Sequence, residues 1–228
     1  MKQLLLILGL ISTACLHSAF AADTSPAPAA APAAAPAKSA ASSAASPAAA
    51  AKTAAKPAAS SVSPQVQVVT SMGNFTIELN AERAPLTVAN FLNYVDQGQY
   101  TNTLFHRVVS NFVIQGGGFD TDYKLKYAPT KVPNESGNGL SNVRGTVGLA
   151  RTSDPHGGND QFYVNLGDNA ALDPNATRWG YAVFGRVIQG MEVVDKIGGV
   201  ATSSHGIMKE DVPVKPVIIL RIERVASP

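Results

Sequence analysis

"NTLFHRVVSNFVIQGGGF", residues 102–119, sets an arginine and a glutamine inside two short apolar runs. Arg107 follows Leu104, Phe105 and His106 and precedes Val108 and Val109, while Gln115 closes Phe112, Val113 and Ile114. Runs this short, rich in β-branched and aromatic residues and bounded by Ser, Asn and Gly, predict strands around 103–108 and 111–115. Successive side chains of a strand point to opposite faces. A long polar side chain in such a run therefore reaches solvent, meets a buried partner, or faces a ligand.

The flanking sequence supplies the other elements. "QVQVVT" (65–70) and "FTIEL" (75–79) alternate apolar and polar around "SMGN", which predicts a hairpin with Gly73 and Asn74 in its turn. In "APLTVANFLNYVDQG", Pro85 suits a first helical turn and Gly98 the end, with Leu86, Ala89, Leu92 and Val95 at helical spacing. A Gly-, Pro-, Asn- and Lys-rich excursion runs from Gly116 to Asn142, and nothing in its composition explains loop 119–142. "TVGLA" (146–150), "QFYVN" (161–165), "YAVFGRV" (181–187) and "VIILRIERV" (217–225) read as strands, and "GMEVVDKIGG" (190–199) as a short helix between glycines. Seven or eight short strands, two short helices and long loops predict a mainly β fold, an antiparallel barrel or sandwich rather than a βαβ fold.

Outside this domain the chain changes character. Lys2, the apolar run Leu4 to Ile11 and Ala19-Phe20-Ala21 form a signal-peptide pattern over 1–21, with cleavage expected after Ala21. That run is too short for a membrane-spanning helix, which needs about 20 apolar residues. The sole cysteine, Cys15, leaves a lipoprotein anchor as a minor alternative, although Ser12 and Thr13 fit such a signal poorly. Residues 22–64 are almost entirely Ala, Pro and Ser with a few Lys, which predicts a disordered, semi-extended spacer. An exported, periplasmic protein follows from this reading.

The remaining 164 residues, 65–228, are one domain's worth. They carry 14 Lys and Arg against 15 Asp and Glu, so the basic balance of the whole chain comes from the signal and spacer. A near-neutral domain argues against nucleic acid as a partner. "QGGGF" (115–119) lacks phosphate-loop spacing, and no serine sits in a G-x-S-x-G elbow. His106, His156 and His205 lack metal-ligand spacing, so neither metal nor cofactor is expected. His106 reads as structural, turned inward or bonded to backbone.

Four blocks in order, "FHRVVSNFVIQGGGF", "RGTVGLART", "QFYVNL" and "LD…WGYAVFGRVIQGMEVVDKI", resemble the cyclophilin family of peptidyl-prolyl cis-trans isomerases, in its bacterial exported form. The likeness runs from about Gln65 to Val225. It implies a closed eight-stranded antiparallel β-barrel capped by two short α-helices, and an isomerase acting on proline-containing unfolded or flexible polypeptides. A peptide-binding chaperone module with incidental turnover is the alternative. Arg107 resembles the family's catalytic arginine, and Phe112, Val113, Tyr163 and Leu172 resemble the walls of its proline pocket. Gln115 and Gln161 resemble polar partners of that arginine or of the substrate backbone. Ala150 and Arg151 fall on the segment that pairs with bound peptide, and Tyr181 stands where many members carry a rim histidine. Val113 replaces the more usual methionine and Tyr163 a phenylalanine; Ala171 stands where members commonly carry Trp or Phe, so only weak cyclosporin binding is expected. Nothing in the sequence suggests more than a monomer.

Overall fold

The computed structural model describes residues 63–206 and 208–226. The expected signal peptide with Cys15, and the expected spacer apart from Ser63 and Pro64, lie outside the described residues. Among the described residues, no helix is long and apolar enough to cross a membrane.

The described residues begin with the expected hairpin, β1 (Gln65–Thr70) and β2 (Gly73–Leu79). Its turn is Ser71–Met72 rather than Gly73–Asn74, because Thr70 and Gly73 are register partners. The Thr70 hydroxyl locks that turn, donating to Gly73 O at 2.6 Å and accepting from Met72 N at 3.0 Å. Helix α1 (Pro85–Asp96) follows, with proline in its first turn. Its buried face is Val88, Phe91, Leu92, Tyr94 and Val95, whereas Leu86 and Ala89 are exposed. The large Phe91 and Tyr94 rings rotate the inward face away from the expected stripe. Phe91 lies 5.1 Å from Phe184 and 5.6 Å from Phe162, centroid to centroid, in the central core. The long excursion contributes a cap: the Glu135 carboxylate accepts from Leu86 N at 3.1 Å and Thr87 N at 2.8 Å, free donors of the helix start.

The other strands are β3 (Thr103–Leu104), β4 (Arg107–Val109), β5 (Val113–Gly116), β6 (Thr146–Leu149), β7 (Phe162–Asn165) and β8 (Val183–Gln189). Helix α2 (Met191–Gly198) precedes β9 (Thr202–His205), β10 (Met208–Pro213) and β11 (Ile218–Arg224). Nine strands form one curled antiparallel sheet in the order β3-β11-β1-β2-β8-β6-β7-β5-β4, and β9 and β10 form a separate ribbon. The fold is mainly β with two helices, but the closed eight-stranded barrel is not formed. The sheet stays open because its edges, β3 and β4, are only two and three residues long and do not pair with each other. Between them Phe105 and His106 turn inward, and Phe105 N donates instead to Val217 O at 2.9 Å. The ribbon escaped sequence reading because "TSSH" has no apolar alternation and every residue of β9 is exposed.

Candidate active site

Register explains how two polar residues fit into the opening stretch. Arg107 on β4 pairs with Gln115 on β5, Gln115 with Tyr163 on β7, and Tyr163 with Gly148 on β6. The neighbouring row, Val108, Ile114 and Val164, is almost fully buried in the main core. Period-two alternation thus gives one face to the core and sends Arg107, Gln115 and Tyr163 to the other. Gly148 fits this row because a Cβ there would lie 2.2 Å from the Tyr163 hydroxyl.

On that outer face is a groove of about 430 Å³ lined by Arg107, Phe112, Val113, Gln115, Ala150, Arg151, Tyr163, Leu172 and Tyr181. Val113, Ala150 and Tyr163 form a small apolar cluster of their own, with Phe112, Leu172 and Tyr181 packed against it. Of the residues given catalytic or substrate-binding roles from the sequence, all line the groove except Gln161. Gln161 stands behind it, accepting from Gln115 Nε2 through Oε1 at 3.1 Å. Room for it comes from Gly118, whose Cβ would meet the Gln161 side chain at 2.5 Å. The two glutamines therefore hold each other. The carboxylate beside Arg107 belongs to Asp211 on β10, with Oδ2 3.5 Å from Nε, and no sequence pattern signalled it. A second cavity, about 230 Å³, also carries charge, but its Glu78 and Arg186 are paired with each other at 2.9 Å.

The four sequence blocks thus put a guanidinium and an apolar cluster in one groove. The family model for cyclophilin type peptidyl-prolyl cis-trans isomerase/CLD matches residues 65–224. The chain belongs to the cyclophilin-type peptidyl-prolyl cis-trans isomerases. It is 48% identical over 158 residues to a peptidyl-prolyl cis-trans isomerase of Acinetobacter baylyi, covering 69% of this chain and 84% of that one. It is also 48% identical over 153 residues to peptidyl-prolyl cis-trans isomerase B of Escherichia coli, covering 66% and 93%. A solved cyclophilin type isomerase of Cryptosporidium parvum has the same fold, with a TM-score of 0.59 at 24% identity over 73% of this chain and 99% of that one.

Behind the cyclophilin groove lies a buried polar network. The Tyr163 hydroxyl donates to Asn142 Oδ1 at 2.6 Å, which supplies the partner that a tyrosine in place of phenylalanine requires. Asn142 Nδ2 donates to Asp173 Oδ1 at 2.9 Å, and Asn165 Nδ2 donates to Asn142 Oδ1 at 3.3 Å. Asn169 Nδ2 reaches Asn165 Oδ1 at 2.7 Å and Phe112 O at 2.9 Å, so one network fixes the floor and a wall of the pocket. Burial pushes the Tyr163 hydroxyl pKa up, which keeps it a neutral donor. The asparagines gave no sequence signal, since a buried Asn and a turn Asn look alike in a Gly-rich stretch.

At the rim, Arg151 is held by carbonyls, with Nη1 on Thr152 O at 2.9 Å and Nη2 on Trp179 O at 3.0 Å. Its guanidinium carbon sits 4.5 Å from the Tyr181 ring centroid. Tyr181 is tied to the pocket wall through its N–H, 2.9 Å from Leu172 O. Ala171, one residue earlier, is exposed in the short 3₁₀ turn Ala170–Leu172. His106, next to Arg107, is buried against Phe119 and stays out of the groove, as its structural reading expected. Burial lowers its pKa from 6.5 to about 4; the Leu104 backbone opposes this shift and the Arg107 charge adds to it.

Proposed function

We propose that Arg107 supplies the isomerase chemistry by donating to the proline nitrogen of a twisted X-Pro amide. The barrier to rotation, about 18–20 kcal/mol, reflects C–N double-bond character. As the bond twists, conjugation is lost and the nitrogen becomes pyramidal with a lone pair able to accept a hydrogen bond. A donor placed there binds the twisted amide better than either planar form, and only such differential binding lowers the barrier. Arginine suits the task because it stays charged and presents a rigid fork. Phe112, Val113, Tyr163 and Leu172 would grip the proline ring, with Gln115 and Gln161 orienting the backbone and Ala150, Arg151 and Tyr181 flanking the peptide.

The observation that carries this reading is the placement of Arg107 in the same groove as the separate apolar cluster. Peptide binding alone would not require a guanidinium at that position. A Cryptosporidium parvum cyclophilin type isomerase was solved in the presence of the dipeptide Ala-Pro, so an Ala-Pro peptide is the apt probe. Cis-to-trans relaxation of such a peptide should be accelerated by sub-micromolar protein. No acceleration at micromolar protein would refute the reading.

The setting we propose is the folding of exported proteins in the periplasm. Its support is the pattern of Lys2, the apolar run and Ala19-Phe20-Ala21, followed by the Ala/Pro/Ser spacer. Fractionation of the producing cell with N-terminal sequencing tests it. A periplasmic form starting at Ala22 is expected, whereas an intact Met1 form in the cytoplasm, or a lipidated Cys15, contradicts it.

A further inference from the structure

We infer that Asp211 is a positioning residue that orients Arg107 for catalysis, an inference resting on the donor role proposed for Arg107. The pair joins two separate parts of the fold. Arg107 opens β4 at the edge of the large sheet, while Asp211 belongs to the β9–β10 ribbon, whose β10 lies beside β4.

The ribbon is irregular at this point. Met208 pairs with His205 and Val212 with Ser203, so four steps along β10 match two along β9, and the register breaks between them. Asp211 lies inside this bulge with a left-handed φ of 65°. Non-glycine residues adopt that conformation at a cost, and Asp is among the few that tolerate it. Bulges beside active sites serve to re-aim a side chain. Here the next residue, Val212, is buried and anchors the ribbon, while the Asp211 carboxylate turns to Arg107. Stacking of His205 on Tyr123, with ring centroids 3.9 Å apart, ties the ribbon to the long loop.

The geometry suits orientation better than stabilisation. The two side chains are 42% and 28% exposed, and an exposed ion pair adds little to stability. The carboxylate approaches Nε, the inner nitrogen of the guanidinium. Among the described residues, the two terminal nitrogens make no hydrogen bond, so they are available to a substrate in the groove. A carboxylate 3.5 Å from Nε favours one orientation of the long arginine before substrate arrives, and preorganisation of the donor speaks to kcat rather than to ground-state affinity.

The test uses Asp211→Asn, which keeps the side-chain shape and tolerates a left-handed backbone, with Asp211→Gly as a second variant that relieves the backbone altogether. Each should lower kcat for an Ala-Pro peptide about 5- to 30-fold, leave KM within twofold, and leave the melting temperature within 2 °C. The double variant Arg107→Ala/Asp211→Asn should be no slower than Arg107→Ala alone, because the two residues act as one unit. If Arg107→Ala retains its rate, the donor reading itself fails. If Arg107→Ala is slow while both Asp211 variants keep full kcat, change only KM, or lose rate additively with Arg107→Ala, the inference about Asp211 is overturned and the donor reading stands.

Discussion

Arg107 and Gln115 are register partners on the two strands of one hairpin, and Gln115 is in turn the register partner of Tyr163. A guanidinium, an amide and an aromatic ring thus occupy one row across three neighbouring strands. The row is rigid because its opposite face, Val108, Ile114 and Val164, is packed into the main core. Arg107 mounted this way moves little relative to the apolar cluster that shares its groove.

The hydroxyl of Tyr163 should matter more to stability than to turnover. Tyr163→Phe removes the donor to Asn142 Oδ1 and leaves the ring in place. A lost neutral hydrogen bond costs about 0.5–1.5 kcal/mol. Urea unfolding should show a loss of about 1 kcal/mol, with kcat/KM for an Ala-Pro peptide within threefold of the parent.

Asn142→Ala should cost more, about 3 kcal/mol, because it leaves buried groups of Tyr163, Asn165 and Asp173 with fewer partners. The network also holds Phe112 O through Asn169, so kcat/KM should fall with stability. Urea unfolding and peptide turnover on the same preparation check both effects. A variant as stable as the parent would mean that the asparagine network bears no load.

His106 should make stability fall in mild acid. Its pKa drops from 6.5 to about 4 on burial, so the unfolded chain binds the proton between those values and the folded chain does not. Stability from this group is therefore complete above pH 6.5 and is lost as the pH falls toward 4. Between pH 7.5 and 5.5 the loss is about 1 kcal/mol, a window above most carboxylate titration. Urea unfolding at both pH values should show this slope, and His106→Gln should flatten it even if the variant is less stable overall.

Much of this site could be read from the sequence, because strand alternation alone sends Arg107 and Gln115 to the face opposite Val108 and Ile114. The groove residues were recoverable because they cluster in short blocks whose order and spacing resemble one family. Asp211 was not, since "MKEDVP" shows no apolar period and its register slips at the bulge. The inward face of α1 was misjudged because Leu86 and Ala89 match the helical period but are outcompeted by Phe91 and Tyr94. Barrel closure failed at the seam, where Phe105 and His106 turn inward and the edge strands are too short to pair. The Glu135 cap on α1 was hidden because its partners are distant in the chain.

Cyclosporin affinity should depend on Ala171. The resemblance implies an aromatic pocket residue at this position, whereas Ala171 is exposed beside Leu172. The missing contact is worth about 1.5–3 kcal/mol if fully buried, and an indole donor about 0.5–1.5 kcal/mol more. The parent should bind cyclosporin weakly, and Ala171→Trp should bind it at least tenfold more tightly with a smaller change in peptide turnover. Nanomolar binding by the parent would contradict the role given to this position.

The most direct test of the account is the kcat/KM of Arg107→Ala for an Ala-Pro peptide, measured on protein whose melting temperature is recorded alongside. Deleting one transition-state donor costs about 10²–10³ in rate. Since the Arg107–Asp211 pair is half-exposed and adds little to stability, the melt should stay near that of the parent. A 10²- to 10³-fold loss with an unchanged melt is the predicted result. Near-normal turnover with a large fall in melting temperature would make Arg107 a structural residue and contradict the mechanism.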